Sequence, residues 1–517
     1  MTAETPQRDE IVVATRPTPG EPRPYDFPSV QRHRLGNGLN VMAVDMPGRP
    51  LISATIVVPV GAGDEPAGDA GATVLAARAL TEGTEHYDAV QLTEAAERLG
   101  ASLHAAAGWD ATSVGIDVPA ARLPAALELL AEVLLRPTFP ANEVERLRDE
   151  RLNDLLQAQA DPRRRADETF IGTIYAQESP YHRPAAGTRE TVESLGPEVA
   201  RRAYEGVLDP DRATLVVAGE LGGLDVVGLA NRLLGSWGRD EGASHAGPVV
   251  DRAAGSGRIV RVVHRPGSVQ TEIRIGHPGL PRRISDFHTV SVMSAILGGL
   301  FNSRLNMQLR EAKGYTYGAG AGFDMRRGAG PFTARAAVNT EVTVPAVIDM
   351  LAELERMRDT RVEASELASA RDFLIGVFPL RFETPGAVVG AVAGLAIHDL
   401  SIEELTGYRE RIEAVDIDAV EAAARDHLHV DRAAIVLVGD VDAFGSDLEA
   451  AGLGRLVIDR DDVAVATQRA AEAEVAAVVG PADEGDEAGP TAGAEDPSLP
   501  GSDEPAPPEG LAPASDR

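Results

Sequence analysis

Ala213-Thr-Leu-Val-Val-Ala-Gly219 and, far down the chain, Ala433-Ala-Ile-Val-Leu-Val-Gly439 are near copies of one another. In each, apolar side chains occupy both alternating sets of positions, so a strand built from either is buried on both faces. Two such strands predict two related halves. The first half opens at residues 31–44, where Asn37-Gly38 marks a hairpin, because a tight two-residue turn needs positive φ. Residues 52–60 read as strand. Residues 70–80 and 89–99 have helical spacing, with Gly100 as a stop, and 113–118 alternate as a strand. Residues 121–135 form an amphipathic helix with Pro124 in its first turn and Arg136-Pro137 at its end; 143–159 form another. A helix at 224–234 follows the buried strand. The second half repeats this order more loosely. It has a strand at 270–276, a helix at 286–297 ended by Gly298-Gly299, a helix at 303–311 and a strand at 331–338. Helices at 343–357 and 364–378 follow, the last stopped by Pro379. Strands and helices in this order predict an α+β fold: two homologous halves, each a mainly antiparallel sheet packed with helices.

At 517 residues the chain exceeds one compact core. Hydrophobic content of 44% supplies several, resting on Leu, Val, Ile and Ala because aromatics are only 4%. The expected divisions are a flexible arm at 1–28, halves at 29–237 and 257–465, a Gly/Ala/Ser-rich linker at 238–256 and a disordered acidic tail at 466–517. The absence of cysteine excludes disulfides, thiolate catalysis and Cys-ligated metal. No basic-then-apolar leader and no window approaching 18 apolar residues are found, so the expectation is a cytoplasmic protein without a membrane span. A net charge of -31 argues against nucleic acid as partner, whereas cationic peptides could be drawn to such a surface.

The eleven histidines build no evident metal site. Neither His-x-x-Glu-His nor His-x-x-Glu occurs, and His427-Leu-His429 lies in an expected loop without a third ligand. His86 is expected to face solvent. Residues 314–322 are glycine-rich but lack the strand-to-helix setting and Lys-Ser/Thr ending of a phosphate loop. There is no Gly-x-Ser-x-Gly elbow.

Several motifs recur in a fixed order: Leu35-Gly-Asn-Gly-Leu39, residues 70–84, Arg183-Pro-Ala-Ala-Gly-Thr188 and the strand ending at Gly219. In the second half they are Ile296-Leu-Gly-Gly299, Ser303-Arg-Leu305, Leu309-Arg-Glu-Ala-Lys-Gly-Tyr-Thr-Tyr317 and Phe373-Leu-Ile-Gly-Val-Phe-Pro-Leu-Arg-Phe-Glu-Thr-Pro385. Together, over roughly residues 29–460, they resemble the M16 metallopeptidases: pitrilysin, insulinase and the mitochondrial processing peptidase. Active members of that family carry His-x-x-Glu-His on a helix, two His holding zinc and the Glu activating water. Setting Gly83-Thr84 against the family's Gly-Thr places Val74, Ala77 and Arg78 at the His, Glu and His positions. Val74 cannot ligate, Ala77 cannot act as a base, and cationic Arg78 repels zinc. The third ligand's place falls at or near Asp154, expected to be a solvated helix residue.

The resemblance implies that Arg310 and Tyr317 reach a bound peptide from the half opposite the zinc. Arg310 would hold peptide carbonyls, and Tyr317 would donate to the oxyanion of the tetrahedral intermediate. Gly314 is expected to end the helix between them, and Tyr315 competes weakly for the tyrosine's role. The plainer alternative is Arg310 paired with Glu311 or Asp324 and Tyr317 half-buried. Gly298 and Gly299, like residues 318–322, read either as a helix stop and flexible strand or as close approach of substrate backbone. The protein so implied is a non-catalytic subunit that binds no metal itself. It would form one half of a clamshell with a chain carrying His-x-x-Glu-His, whose Zn2+ hydrolyses peptides held by both. The alternative is a catalytically inactive scaffold of the same fold, like the respiratory-complex core subunits.

Overall fold

The two near-copies become interior strands of two separate six-stranded sheets, and every residue of each strand is buried. The computed structural model describes residue 20 and residues 24–238, 253–255 and 257–460. The expected acidic tail, most of the expected linker and most of the expected arm lie outside the described residues. The first sheet comprises β1 (Val30–Arg34), β2 (Asn40–Asp45), β3 (Leu51–Val58), β4 (Ser102–Ala107), β5 (Thr112–Pro119) and β6 (Thr214–Gly219), in the order β1-β2-β6-β3-β5-β4. The second comprises β7 (Ile259–His264), β8 (Gln270–Pro278), β9 (Ala319–Phe323), β10 (Pro331–Asn339), β11 (Ala434–Gly439) and β12 (Arg455–Arg460), in the order β12-β7-β11-β8-β10-β9. The α+β architecture of two matched halves is thus as expected.

Both sheets are mixed. β6 runs parallel to β2, and β7 runs parallel to β11 and β12; the other pairs are antiparallel. The parallel pairs join segments separated by helices, the long crossover that parallel pairing requires. The β1–β2 hairpin differs from the two-residue turn expected. Leu35 N–H donates to Leu39 O at 2.9 Å, so three residues, Gly36 to Gly38, close it, with Gly38 at φ +95°. Asn37 is held elsewhere: its Nδ2 donates to the carbonyls of Leu234 (2.8 Å) and Trp237 (3.1 Å).

Each sheet has a face covered by a helix from the other half. Pro162–Ile174 follows the long first-half helix Ala141–Ala160 and starts at Asp161, whose Oδ1 accepts from Arg163 N–H (2.8 Å) and Arg164 N–H (3.1 Å). It packs on β8 and β11, where Phe170 and Ile174 meet Ala434 and Val436. In return Pro385–Ile397, capped by Thr384, packs on β3 and β6. Its Val388, Val389 and Val392 share a core with Val44, Val57, Val216 and Ala218. Each such buried aliphatic side chain stabilises by about 1.5–3 kcal/mol relative to exposure. Division of the chain near residue 237 therefore describes its order but not its packing. Among the described residues no single helix is long and apolar enough to cross a membrane.

A polar latch joins the halves as well. The loop between β9 and β10 carries Arg327 into the first half. Its Nη2 meets Asp64 Oδ1 at 2.5 Å, its Nη1 donates to Pro59 O at 3.0 Å, and its backbone N–H donates to Asp110 Oδ2 at 3.0 Å. Next to it, the Arg326 guanidinium lies 4.8 Å from the Trp109 ring and 4.7 Å from that of Tyr181. Burial pushes the Tyr181 hydroxyl up to about 12, and this oxygen accepts from Gly328 N–H at 3.2 Å. Two aromatics in the region expected to be a flexible arm are also docked. Phe27 meets Phe382 at 5.0 Å and Tyr25 meets Phe378 at 6.0 Å between ring centroids. These rings supply apolar area that the surrounding composition lacks.

The expected loop histidines diverge. His427 closes the helix Ile417–His427 and pairs with Asp286 at 2.7 Å, while His429 N–H donates to Nε2 of His277 at 3.1 Å. His277 is 2% exposed, its Nδ1–H donates to Pro278 O at 2.8 Å, and burial drives its pKa down to about 4.

Two outcomes follow. Arg327→Ala leaves Asp64 buried without its cation and is expected to cost about 3–5 kcal/mol, read from urea midpoints; a loss under about 1 kcal/mol would contradict the latch. The unfolded chain protonates residue 277 near pH 6.5, and the folded chain resists until about pH 4. Stability from this group is therefore complete above 6.5 and lost on descending towards 4, by about 2–3 kcal/mol. His277→Asn should show a shallower acid loss between pH 7.5 and 4.5 than the unsubstituted chain; parallel profiles would refute it.

Candidate functional site

The helix Phe287–Ser294 widens into a π-helical turn, Ala295–Gly299, and ends at the glycine pair as expected, with Leu300 already extended. A Cβ on Gly298 would lie 2.1 Å from Ala321 N, so glycine is required there by the chain's own strand β9. Of the two readings of this glycine, the packing of the chain itself already accounts for it. At Gly299 a Cβ would meet Ser294 O at 3.3 Å, a milder crowding. A second π-helical stretch, Met307–Ala312, follows the short helix Arg304–Asn306. π turns insert an extra residue and re-aim what they carry. Here the residue carried is Arg310.

Gly314 then reverses the backbone at φ +65°, and Tyr315 N–H donates to Leu309 O at 2.8 Å. Tyr315 packs against the core, whereas Tyr317 is 95% exposed. Asn306 ties the two segments: its Oδ1 accepts from Ala319 N–H at 2.8 Å and its Nδ2 donates to Leu300 O at 3.1 Å. Arg310 sits 4.3 Å from the centroid of the exposed Phe301 ring. Its Nε is 3.6 Å from Glu311 Oε1, while Asp324 pairs with Arg326 instead. A cleft of about 550 Å³ brings together Gly298, Phe301, Asn306, Arg310, Tyr317 and Arg335. Gly299 is not among its lining residues. Chemically, the cleft offers guanidinium donors, a free phenol hydroxyl and an aromatic face.

The other candidate positions surround the helix Ala72–Ala79. Gly71 precedes it at φ +97°. The carboxylate of Glu65 accepts from Gly71 N–H (2.9 Å) and Thr73 N–H (2.6 Å) and pairs with Arg183 at 3.2 Å. Burial raises the Glu65 pKa despite these partners. Val74, Arg78 and Asp154 line one cavity of about 200 Å³, together with Arg148 and Arg151. Ala77 is 1% exposed and is not part of the lining. Arg78 pairs with Glu150 at 2.8 Å.

Asp154 is not simply solvated, as expected, but fastened. Arg164 donates to both of its oxygens at 2.7 and 3.0 Å, and Arg151 is its second partner. The Arg164 bonds hold the carboxyl below the usual carboxylate range. Zinc does not fit this cavity. Its lining contains no imidazole, its carboxylate is engaged by two guanidiniums, and three arginines occupy the surroundings of any dication. Elsewhere His264, Asp440 and Asp442 lie close together, but each is used by the fold. His264 Nδ1 accepts from Val441 N–H (3.3 Å), Asp440 caps the helix Val441–Ala451, and Asp442 pairs with Arg460 (2.9 Å). His86 is mostly exposed, yet its Nδ1 lies 2.9 Å from the buried Glu132.

Sequence reading missed Phe301, Asn306 and Arg335 as cleft residues. An aromatic two positions past a Gly-Gly pair was the one available signal; Asn306 and Arg335 gain their places only through tertiary contact.

Two mixed-sheet halves of common plan, with an Arg and a Tyr presented on one of them, define a metallopeptidase-like protein. The chain belongs to peptidase family M16: residues 40–189 match insulinase (peptidase family M16), and residues 194–374 match the peptidase M16 inactive domain. A protein from Mycobacterium tuberculosis described as an uncharacterized zinc protease is 25% identical over 413 residues, 79% of this chain and 93% of that protein. A protein from Helicobacter pylori described as a non-peptidase homolog is 23% identical over 320 residues, 61% of this chain and 72% of that one. The fold is similar to a crystal structure of a peptidase M16 inactive domain from Pseudomonas fluorescens. The TM-score is 0.72 at 22% identity, covering 80% of this chain and 98% of that one.

Gly298→Ala is expected to destabilise by about 1–3 kcal/mol through collision with β9, whereas Gly299→Ala should cost under about 1 kcal/mol. Thermal unfolding of the two variants measures the contrast, and equal effects would contradict this packing.

Proposed function

We propose that the chain is a non-catalytic subunit of a heteromeric, zinc-dependent M16 peptidase. It binds peptide substrate and pairs with a separate chain carrying His-x-x-Glu-His, which supplies zinc and the general base. The observation that carries this reading is a contrast between two places. Arg310 and the exposed Tyr317 share an open cleft, while the cavity beside Val74 and Arg78 has no donor set for a metal. In this reading Arg310 holds peptide carbonyls through its fixed fork of donors. Tyr317 donates its hydroxyl proton as a hydrogen bond to the oxyanion that forms when the carbonyl is attacked. The long lever of an exposed phenol suits a group that must reach a site on another chain.

A second reading, a scaffold without peptidase function, is favoured by the Helicobacter pylori relative described as a non-peptidase homolog. One experiment separates the two. The chain alone is expected to cleave no peptide, and co-purification should yield a partner with His-x-x-Glu-His. In the reconstituted pair Tyr317→Phe should lower kcat by about 100-fold with KM nearly unchanged. Unchanged turnover would reject the role of Tyr317. Chelator-sensitive cleavage by the single chain would reject the division of labour altogether.

A further inference from the structure

The cleft holding Arg310 and Tyr317 is unusual for its charge. In a chain of net charge -31 it is lined by four arginines, Arg163, Arg274, Arg310 and Arg335, against one acid, Glu272. The four have different fates. Arg274 is 1% exposed and fully used: Nε meets Asp167 at 2.6 Å, Nη1 meets Glu272 at 2.8 Å and Ile273 O at 3.0 Å, and Nη2 meets Arg163 O at 3.3 Å. That network also consumes the single acid of the lining. Arg163 and Arg335 are exposed, and no carboxylate among the described residues lies within ion-pair distance of either side chain.

Their placement is specific. Arg335 on β10 stands directly opposite Arg274 on β8, a like-charge pair across neighbouring strands, which costs stability unless compensated. On its other side it faces Gly320 of β9, and the position a Cβ would take on Gly320 is 3.9 Å from Arg335 Nε. The guanidinium therefore extends over a strand position without a side chain. Arg163 arrives from the first half, on the exchanged helix Pro162–Ile174, whose packing on β8 and β11 leaves the floor at β9 and β10 open. Its neighbour Arg164 turns to Asp154, so adjacent arginines serve different places. Three guanidiniums from three separate elements thus line about 550 Å³ of open cleft; Arg310 has Glu311 at 3.6 Å, whereas Arg163 and Arg335 have no carboxylate partner among the described residues.

We propose that Arg163 and Arg335, together with Arg310, form a subsite for a carboxylate of the bound peptide, so that this chain selects acidic peptides. The proposal rests on the peptide-binding reading above. It reverses the preference that net charge alone suggests, because the local field of a cleft outweighs distant surface charge screened over about 8 Å. A planar guanidinium takes a carboxylate bidentately, and two or three of them form a cradle that a neutral amide cannot satisfy equally.

The test uses the full-length chain and fluorescence anisotropy with labelled ten-residue peptides. Their central pair is Glu-Glu, Gln-Gln or Lys-Lys, each made with a free and with an amidated C-terminus. The Glu-Glu peptide is expected to bind about 10-fold more tightly than Gln-Gln, with Lys-Lys weakest, and the gap should shrink with added salt. Arg163→Gln and Arg335→Gln should each narrow the gap to about 3-fold, and Arg335→Glu should remove it. Both positions are exposed, so unchanged circular dichroism and melting temperature will certify the variants. A Glu-Glu preference of the same size with free and amidated C-termini assigns the carboxylate to a side chain; equal binding of the three central pairs that weakens on amidation assigns binding to the peptide terminus and overturns the selection of acidic side chains. Equal binding of all three central pairs that amidation does not alter, or variants that leave the gap unaltered, overturns the subsite while leaving peptide binding intact. Binding of no peptide at all overturns the peptide-binding reading itself.

Discussion

The exchange of helices between the halves is the constraint on which the other features rest. The apolar face of β3 and β6 is closed by Pro385–Ile397, and the face of β8 and β11 by Pro162–Ile174. Neither half can leave the other without exposing a sheet face to water, at about 1.5–3 kcal/mol for each aliphatic side chain uncovered. The Arg327 latch adds direction to this non-directional contact. Apolar faces tolerate sliding, whereas an arginine whose guanidinium is held by Asp64 and Pro59 O and whose backbone N–H is held by Asp110 does not. The cleft inherits that rigidity, because one wall carries Arg163 from the exchanged helix and another carries Tyr317 just ahead of β9.

Arginine is the working cation of this protein, and the structure sorts its copies by solvation. Arg274 and Arg327 are buried or nearly so and hold several acceptors each. Without those acceptors each would be an uncompensated charge in a poorly solvated place. Arg164 gives two donors and Arg151 one to Asp154, the one carboxylate of the cavity beside Val74, while Arg151 also holds the carbonyls of Ala186 and Gly187. The two cavities are therefore electrostatic opposites. In one the available carboxylate has been neutralised by cations; in the other two of the four arginines, Arg163 and Arg335, have no carboxylate partner among the described residues. The first suits no metal, and the second suits an electron-rich ligand such as a carbonyl or a carboxylate.

Much of the fold was legible because it depends on local signals. β6 and β11 announce themselves as unbroken apolar runs, and Gly100 marks a helix stop that it fulfils in the left-handed conformation, φ +65°. The ends of the helix Ala89–Leu99 were readable for the same reason, with Asp88 capping one end and Gly100 the other. The π-helical turns were not legible, since the widening at Ala295–Gly299 accompanies the pressing of Gly298 on Ala321, a contact across more than twenty residues. Nor was the exchange of helices. Amphipathic spacing says that a face will be buried, not which sheet buries it. The candidate site divides in the same way. Arg310 and Tyr317 stand within one short motif, while Arg163 and Arg335 come together only when helix Pro162–Ile174 crosses to the second sheet. Asp154 looked like an ordinary surface acid because its clamp, Arg164, lies ten residues away on the next helix.

The exchange also bears on how the chain is made. A ribosome releases the six strands of the first sheet well before residues 385–397 exist. The face of β3 and β6 that ends under Pro385–Ile397 must therefore wait, apolar and uncovered, while most of the second half is synthesised. Domains commonly fold as units in the order of their synthesis. Here the N-terminal unit is finished last, by a helix from the C-terminal one. The nascent chain thus carries an adhesive surface through much of translation, and premature termination anywhere before Pro385 leaves that surface permanently bare.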